Sequence, residues 1–140
     1  MITAALLLAC APTALDVVPG CYEPTIGPWP DARAVAEAPH FIRLGTAHDP
    51  LGPEPRGFRV ELPAVPPALD SVQAAFWLPT VPDSIALVWS ESRGSAVLRL
   101  GVREKTLIGR AFAYGSIAER YGRTTWEVVA KRVECKDPGH

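Results

Sequence analysis

Apolar and polar residues alternate with a period of two through much of this chain, the mark of strands that bury one face. Phe58-Arg59-Val60-Glu61-Leu62 puts Phe58, Val60 and Leu62 on one side. Leu98, Leu100 and Val102 repeat the pattern with Arg99 and Arg103 opposite. Ile85, Leu87 and Trp89 alternate with Ala86 and Val88, so that segment is apolar on both faces and reads as a central strand. The pattern predicts strands over 20–25, 40–46, 58–62, 72–78, 84–90, 96–103, 106–114 and 124–135. Ser92-Arg93-Gly94-Ser95 and Glu104-Lys105 are short enough for tight hairpins, which makes 84–114 an antiparallel meander. Helical periodicity is scarce: 31–38 (DARAVAEA) holds good helix formers but is confined between Pro30 and Pro39, and 117–121 has room for one turn.

The segment 106–114 sets the expected architecture. Leu107, Gly109, Ala111 and Ala113 share one face, and Ile108, Arg110, Phe112 and Tyr114 share the other. A face of small residues lets a sheet curve sharply or another backbone approach closely, as barrels require. We therefore expect an all-β fold, an up-and-down antiparallel meander of about eight strands forming a closed or half-closed barrel, with a β-sandwich as the alternative. In the last strand Trp126, Val128 and Ala130 share a face while Val129, Val133 and Cys135 share the other, which suggests a bulge near Lys131.

Composition sharpens this picture. The 140 residues suffice for one domain with a real core, and a 48% hydrophobic share excludes wholesale disorder. Of the 15 prolines, all but Pro138 lie at or before Pro82, so short elements cut by turns precede a proline-free stretch suited to long strands. The loop 49–57 (DPLGPEPRG) reads as a surface excursion. A net charge of −1 excludes a general nucleic-acid binder, which would carry a basic excess. The acidic first half and basic second half are expected to attract each other within one domain.

The N-terminus opens with an apolar run, residues 2–9, followed at once by Cys10. The run is far shorter than the roughly 20 residues that span a bilayer and fits a minimal signal-peptide core. Leu7-Leu8-Ala9-Cys10 resembles the lipobox of bacterial lipoproteins, although no Lys or Arg precedes the run. The resemblance implies a signal peptide over 1–9, lipidation of Cys10, a lipidated tether over 10–19, one β domain over 20–136 and a tail over 137–140. It also implies a place in the cell envelope, lipid-anchored to a bacterial membrane and facing the periplasm or the outside. Plain secretion, or a buried strand or helix at 2–9, are the alternatives. With Cys10 lipidated, Cys21 and Cys135 remain as a pair in an oxidising compartment, expected to bridge the first strand to the last. Two unrelated buried thiols are the alternative.

Chemistry-bearing motifs are absent. There is no G-x-S-x-G, S-x-x-K, C-x-x-C or H-E-x-x-H, and Gly94, Gly101 and Gly109 are isolated rather than gathered in a phosphate loop. His48-Asp49 with His40 has ligand-type side chains but reads as exposed histidines beside a proline-rich loop. No catalytic residue, metal or cofactor is assigned, and an enzyme is not expected. Tryptophan is more informative: Trp77, Trp89 and Trp126 either plug the core or line an apolar ligand cavity. The chain resembles small bacterial envelope lipoproteins of uncharacterised function, with a Trp-bearing meander and a terminal strand ending in Cys. It is also similar to lipocalin-like barrels, which open with a glycine–aromatic segment, here Gly20-Cys21-Tyr22. The expected partners are membrane lipid through Cys10 and either a small apolar ligand in the barrel or another envelope protein, with no nucleic acid.

Overall fold

A computed structural model describes residues 13–28, 40–49, 57–61, 74–80, 83–90, 93–122 and 124–136. Among them, eight strands follow one another in chain order around a closed antiparallel barrel. They are β1 (Gly20–Gly27), β2 (Ile42–His48), β3 (Phe58–Glu61), β4 (Ala74–Thr80), β5 (Ser84–Ser90), β6 (Gly94–Arg103), β7 (Thr106–Gly115) and β8 (Thr125–Val133). Two short helices accompany them, α1 (Ala14–Val17) before β1 and α2 (Ser116–Tyr121) between β7 and β8. The barrel is closed by β8 returning to β1, with Cys21 opposite Val133 and Gly27 opposite Glu127. The expected helix over 31–38, the signal segment with Cys10, and the body of the loop 49–57 lie outside the described residues.

The period-two pattern explains the core. Ile85, Leu87 and Trp89 point inward from β5, and Leu98 and Leu100 from β6, all buried. Each aliphatic side chain so buried stabilises the fold by roughly 1.5–3 kcal/mol. An eight-stranded barrel has an interior just wide enough for side chains to fill, so large and small residues must alternate around it. They do: Trp89 stands in register between Ala75 and Ala96, and Ala96 faces Ala113. One layer further in, Trp77, Leu87, Leu98, Ala111 and Trp126 follow one another across five strands. The alanines of β7 are the room into which the indoles fit.

Gly109 marks a close approach of β6 and β7. It lies inward between Leu100 and Val128, and an added Cβ would stand 1.9 Å from the Arg99 carbonyl oxygen and 3.0 Å from the Leu100 Cα. Backbone, not a movable side chain, occupies the space. The small-residue face therefore does permit close approach and closure, and the sandwich alternative is set aside.

Two expectations need correction. The bulge placed near Lys131 is absent: β8 pairs with β1 without interruption from Val133 to Glu127. Strict alternation instead carries Arg132 to the inner side, after Trp126, Val128 and Ala130. The irregularity lies in β2, where the pairing with β3 shifts between Leu44 and His48. Finally, residues 13–19 are not free tether. Ala14 packs on the core and Val18 is fully buried, because this segment covers one end of the barrel.

Cys21 and Cys135 form a disulfide, their Cα atoms 5.2 Å apart and 114 residues separated in sequence. It fastens β1 to the end of β8, at the seam where the sheet closes. In the chain-entropy account a loop of this size is worth about 4–5 kcal/mol. Two outcomes follow for thermal unfolding. Reduction, or Cys21→Ser with Cys135→Ser, lowers the midpoint, with a loss of unfolding free energy of about 4–5 kcal/mol. Gly109→Val costs about 3–5 kcal/mol, well beyond the roughly 1 kcal/mol span of strand preference, and a wild-type-like melt of this variant would contradict the close approach of β6 and β7.

Candidate functional site

The two ends of the barrel are built differently. At the end where β1 begins and β8 finishes, Thr13 opens α1: its N–H and hydroxyl donate to the Asp16 carboxylate at 2.9 and 3.0 Å. These two hydrogen bonds hold the Asp16 carboxyl below the usual carboxylate range. Beneath α1 sits Tyr22, almost wholly buried, whose hydroxyl donates to the Val18 carbonyl at 2.7 Å. The Arg132 guanidinium lies 5.2 Å from the Tyr22 ring centroid and donates to the Tyr22 hydroxyl oxygen at 2.9 Å. It also donates to the carbonyls of Pro19 (3.2 Å), Val18 (3.3 Å) and Val17.

One cation thus satisfies carbonyls that the end of a short helix leaves without internal partners. Gly20 makes this possible. It holds a φ of +150°, and a Cβ there would stand 2.7 Å from Arg132 Nη1. Chemically this end is a clamp: its polar groups face one another and close the barrel.

The opposite end carries the tryptophans. Trp89 occupies the last inward position of β5 and Trp126 the first of β8, both buried. Helix α2 leans over this end on the β6–β7 side, with Ile117 buried in the core and Ala118 packed on it. The indole N–H of Trp89 is buried and has no hydrogen-bond partner among the described residues. A buried donor left so costs about 1–3 kcal/mol and calls for an explanation. Beside this end, Pro28, Arg110, Thr125, Trp126 and Glu127 line a solvent-open depression of about 380 Å³.

The three expected site tryptophans do not act together. Trp77 is fully buried, its N–H donates to the Gly45 carbonyl at 2.9 Å, and its ring lies 5.1 Å from that of Phe58. Its polar atom is committed within the protein. Trp89 and Trp126 instead share the α2 end. His40 and His48 fall at opposite ends of β2, so the structure does not bring them together. No group of three or more His, Cys, Asp or Glu suited to a metal occurs among the described residues. Arg132 escaped the sequence reading, although an arginine at the fourth inward position of β8 was there to be noticed.

Comparison of the chain with protein-family profiles, curated proteins and solved structures returns no match.

The clamp has a pH signature. Burial pushes the Tyr22 phenol up, and the charge and hydrogen bond of Arg132 draw it only part of the way back. A folded-state value above the unfolded one means that the contribution is fully present below about pH 10 and is lost as pH rises through the folded value. Denaturant midpoints measured from pH 8 to 12 should fall more steeply for the wild type than for Tyr22→Phe. At neutral pH the variant should lose about 1 kcal/mol with the bond to Val18.

Proposed function

We propose that this chain is a lipid-anchored envelope protein whose barrel takes a small, mainly apolar ligand at the α2 end. The observation that carries the ligand is the buried, unpartnered indole N–H of Trp89 at that end. A ligand with an apolar body and one acceptor oxygen would accept from that donor and lay its carbon against the apolar side chains of that end, Ile117 among them. Neither part alone suits the site, since a wholly apolar ligand leaves the N–H unsatisfied. Anchoring is supported by the order Leu7-Leu8-Ala9-Cys10 and by cysteine parity: the Cys21–Cys135 bridge leaves Cys10 as the one cysteine outside it. No catalytic role is proposed.

A second reading, docking on another envelope protein, draws support from the outer face of β7. There Ile108 and Tyr114 are about half exposed, and Arg99 lies 5.6 Å from the Phe112 ring centroid.

Native mass spectrometry of the protein extracted from a bacterial envelope fraction tests both parts at once. The expected species carries a diacylglyceryl mass on Cys10, an intact disulfide and a bound small molecule. Trp89→Phe should keep the first two and lose at least about tenfold in ligand occupancy, the worth of one hydrogen bond in a dry site. Equal occupancy in Trp89→Phe rejects the assigned site, and an unmodified Cys10 rejects the anchor.

A further inference from the structure

Leu15 and Val17 are the exposed large apolar residues of α1, at 42% and 38% exposure. They occupy the outer side of this helix, while Ala14 and Val18 pack inward on the core. A four-residue helix that only faced water would have no reason to present two branched aliphatic side chains to it. The clamp described above holds α1 rigidly on the barrel through Arg132, so whatever α1 touches is touched by the whole domain.

From these observations and the length of chain before α1, we infer that Leu15 and Val17 rest on the membrane and that the barrel stands with its clamped end down. This rests on the lipid-anchor reading. Only Ala11 and Pro12 separate Cys10 from Thr13. Three Cα–Cα steps reach at most about 11 Å, so a diacylated Cys10 keeps α1 at the headgroup level. An apolar pair held there enters the headgroup–acyl boundary, which lies within roughly 5–10 Å of the surface.

Charge argues for the apolar boundary over an anionic headgroup. Among the described residues, the exposed acids of this end, Asp83, Glu104 and Glu134, are equalled in number by Arg103, Lys105 and Lys136, and the Asp16 carboxylate accepts from Thr13. The consequence for function is orientation. The α2 end, with Trp89 and Trp126, points away from the bilayer, and its ligand arrives from the aqueous compartment.

The test uses full-length protein purified from envelopes and reconstituted into phosphatidylcholine vesicles, with a parallel set containing phosphatidylglycerol. Leu15→Cys, Val17→Cys and Glu119→Cys each supply one free thiol for an environment-sensitive fluorophore, since Cys10 is acylated and Cys21 is bridged to Cys135. The mass of each sample reports the lipid on Cys10, and a thermal melt reports the fold. Nitroxide lipid should quench labels at 15 and 17 by about twofold or more over the label at 119, as expected for side chains lying at the headgroup–acyl boundary. The result should be the same in both vesicle types. Equal quenching at 15 and 119 in protein whose Cys10 is shown to be acylated overturns the orientation and leaves the anchor standing. Shielding of 15 from aqueous iodide without quenching by nitroxide lipid assigns the pair to a protein partner and also overturns it. An unacylated Cys10 overturns the anchor and this inference together.

Discussion

Everything in this molecule depends on the seam between β1 and β8. An open sheet of this length would present two unpaired edges, and closing it requires both sharp curvature and a means of holding first strand to last. Curvature comes from β7, where Gly109 lets the Arg99 carbonyl approach to a distance no side chain would permit. The seam is then held three ways: by a ladder running from Cys21–Val133 to Gly27–Glu127, by the Cys21–Cys135 disulfide, and by Arg132 reaching from β8 to α1 and Tyr22. The first is directional, the second constrains the unfolded chain, and the third fixes the approach of the N-terminal segment. Losing any one leaves the other two.

How far this was readable from the residues depends on what each feature rests on. The strands from Ser84 to Gly115 follow from side-chain alternation and short turns, both local signals, and β5 lies where alternation puts it. Glu104-Lys105 forms the tight turn despite lacking glycine, with Glu104 taking the positive φ itself. What escaped was long-range. The change of apolar face from Trp126, Val128 and Ala130 to Val133 and Cys135 predicts a bulge near Lys131, whereas unbroken alternation puts Arg132 inside. Its partners are carbonyls more than a hundred residues earlier, in a segment with no periodicity of its own. The same distance hid α1, whose four residues are far below the length at which a helix is stable alone. It exists because the barrel end and Arg132 hold it.

The tryptophans show why residue type alone separated the candidates poorly. All three are large, apolar and bear one donor, and all three are buried. They part only in what surrounds them. Trp77 reaches across to the Gly45 carbonyl where the shifted pairing of β2 leaves that oxygen available, and it thereby joins β4 to β2 past the short β3. Trp89 has alanines on either side in its own layer and no acceptor for its proton among the described residues. The distinction rests on registers, which no single strand pattern contains.

The two ends of the barrel differ in how their buried polar groups are met, although His48 Nε2, at the α1 end of β2, has no partner among the described residues either. At the α1 end a cation, a phenol and three carbonyls satisfy one another, and such a network gains strength as water is excluded. At the α2 end a buried donor is left without its acceptor, a loss that only a further molecule, water included, recovers. Proteins tend to accept such local cost where function is performed and to compensate for it elsewhere. Here the compensation is close at hand: the seam, the disulfide and the Arg132 clamp all lie at or lead to the far end, leaving the Trp89 end free of that duty. The disulfide and the Arg132 clamp thus hold the barrel chiefly from its α1 end.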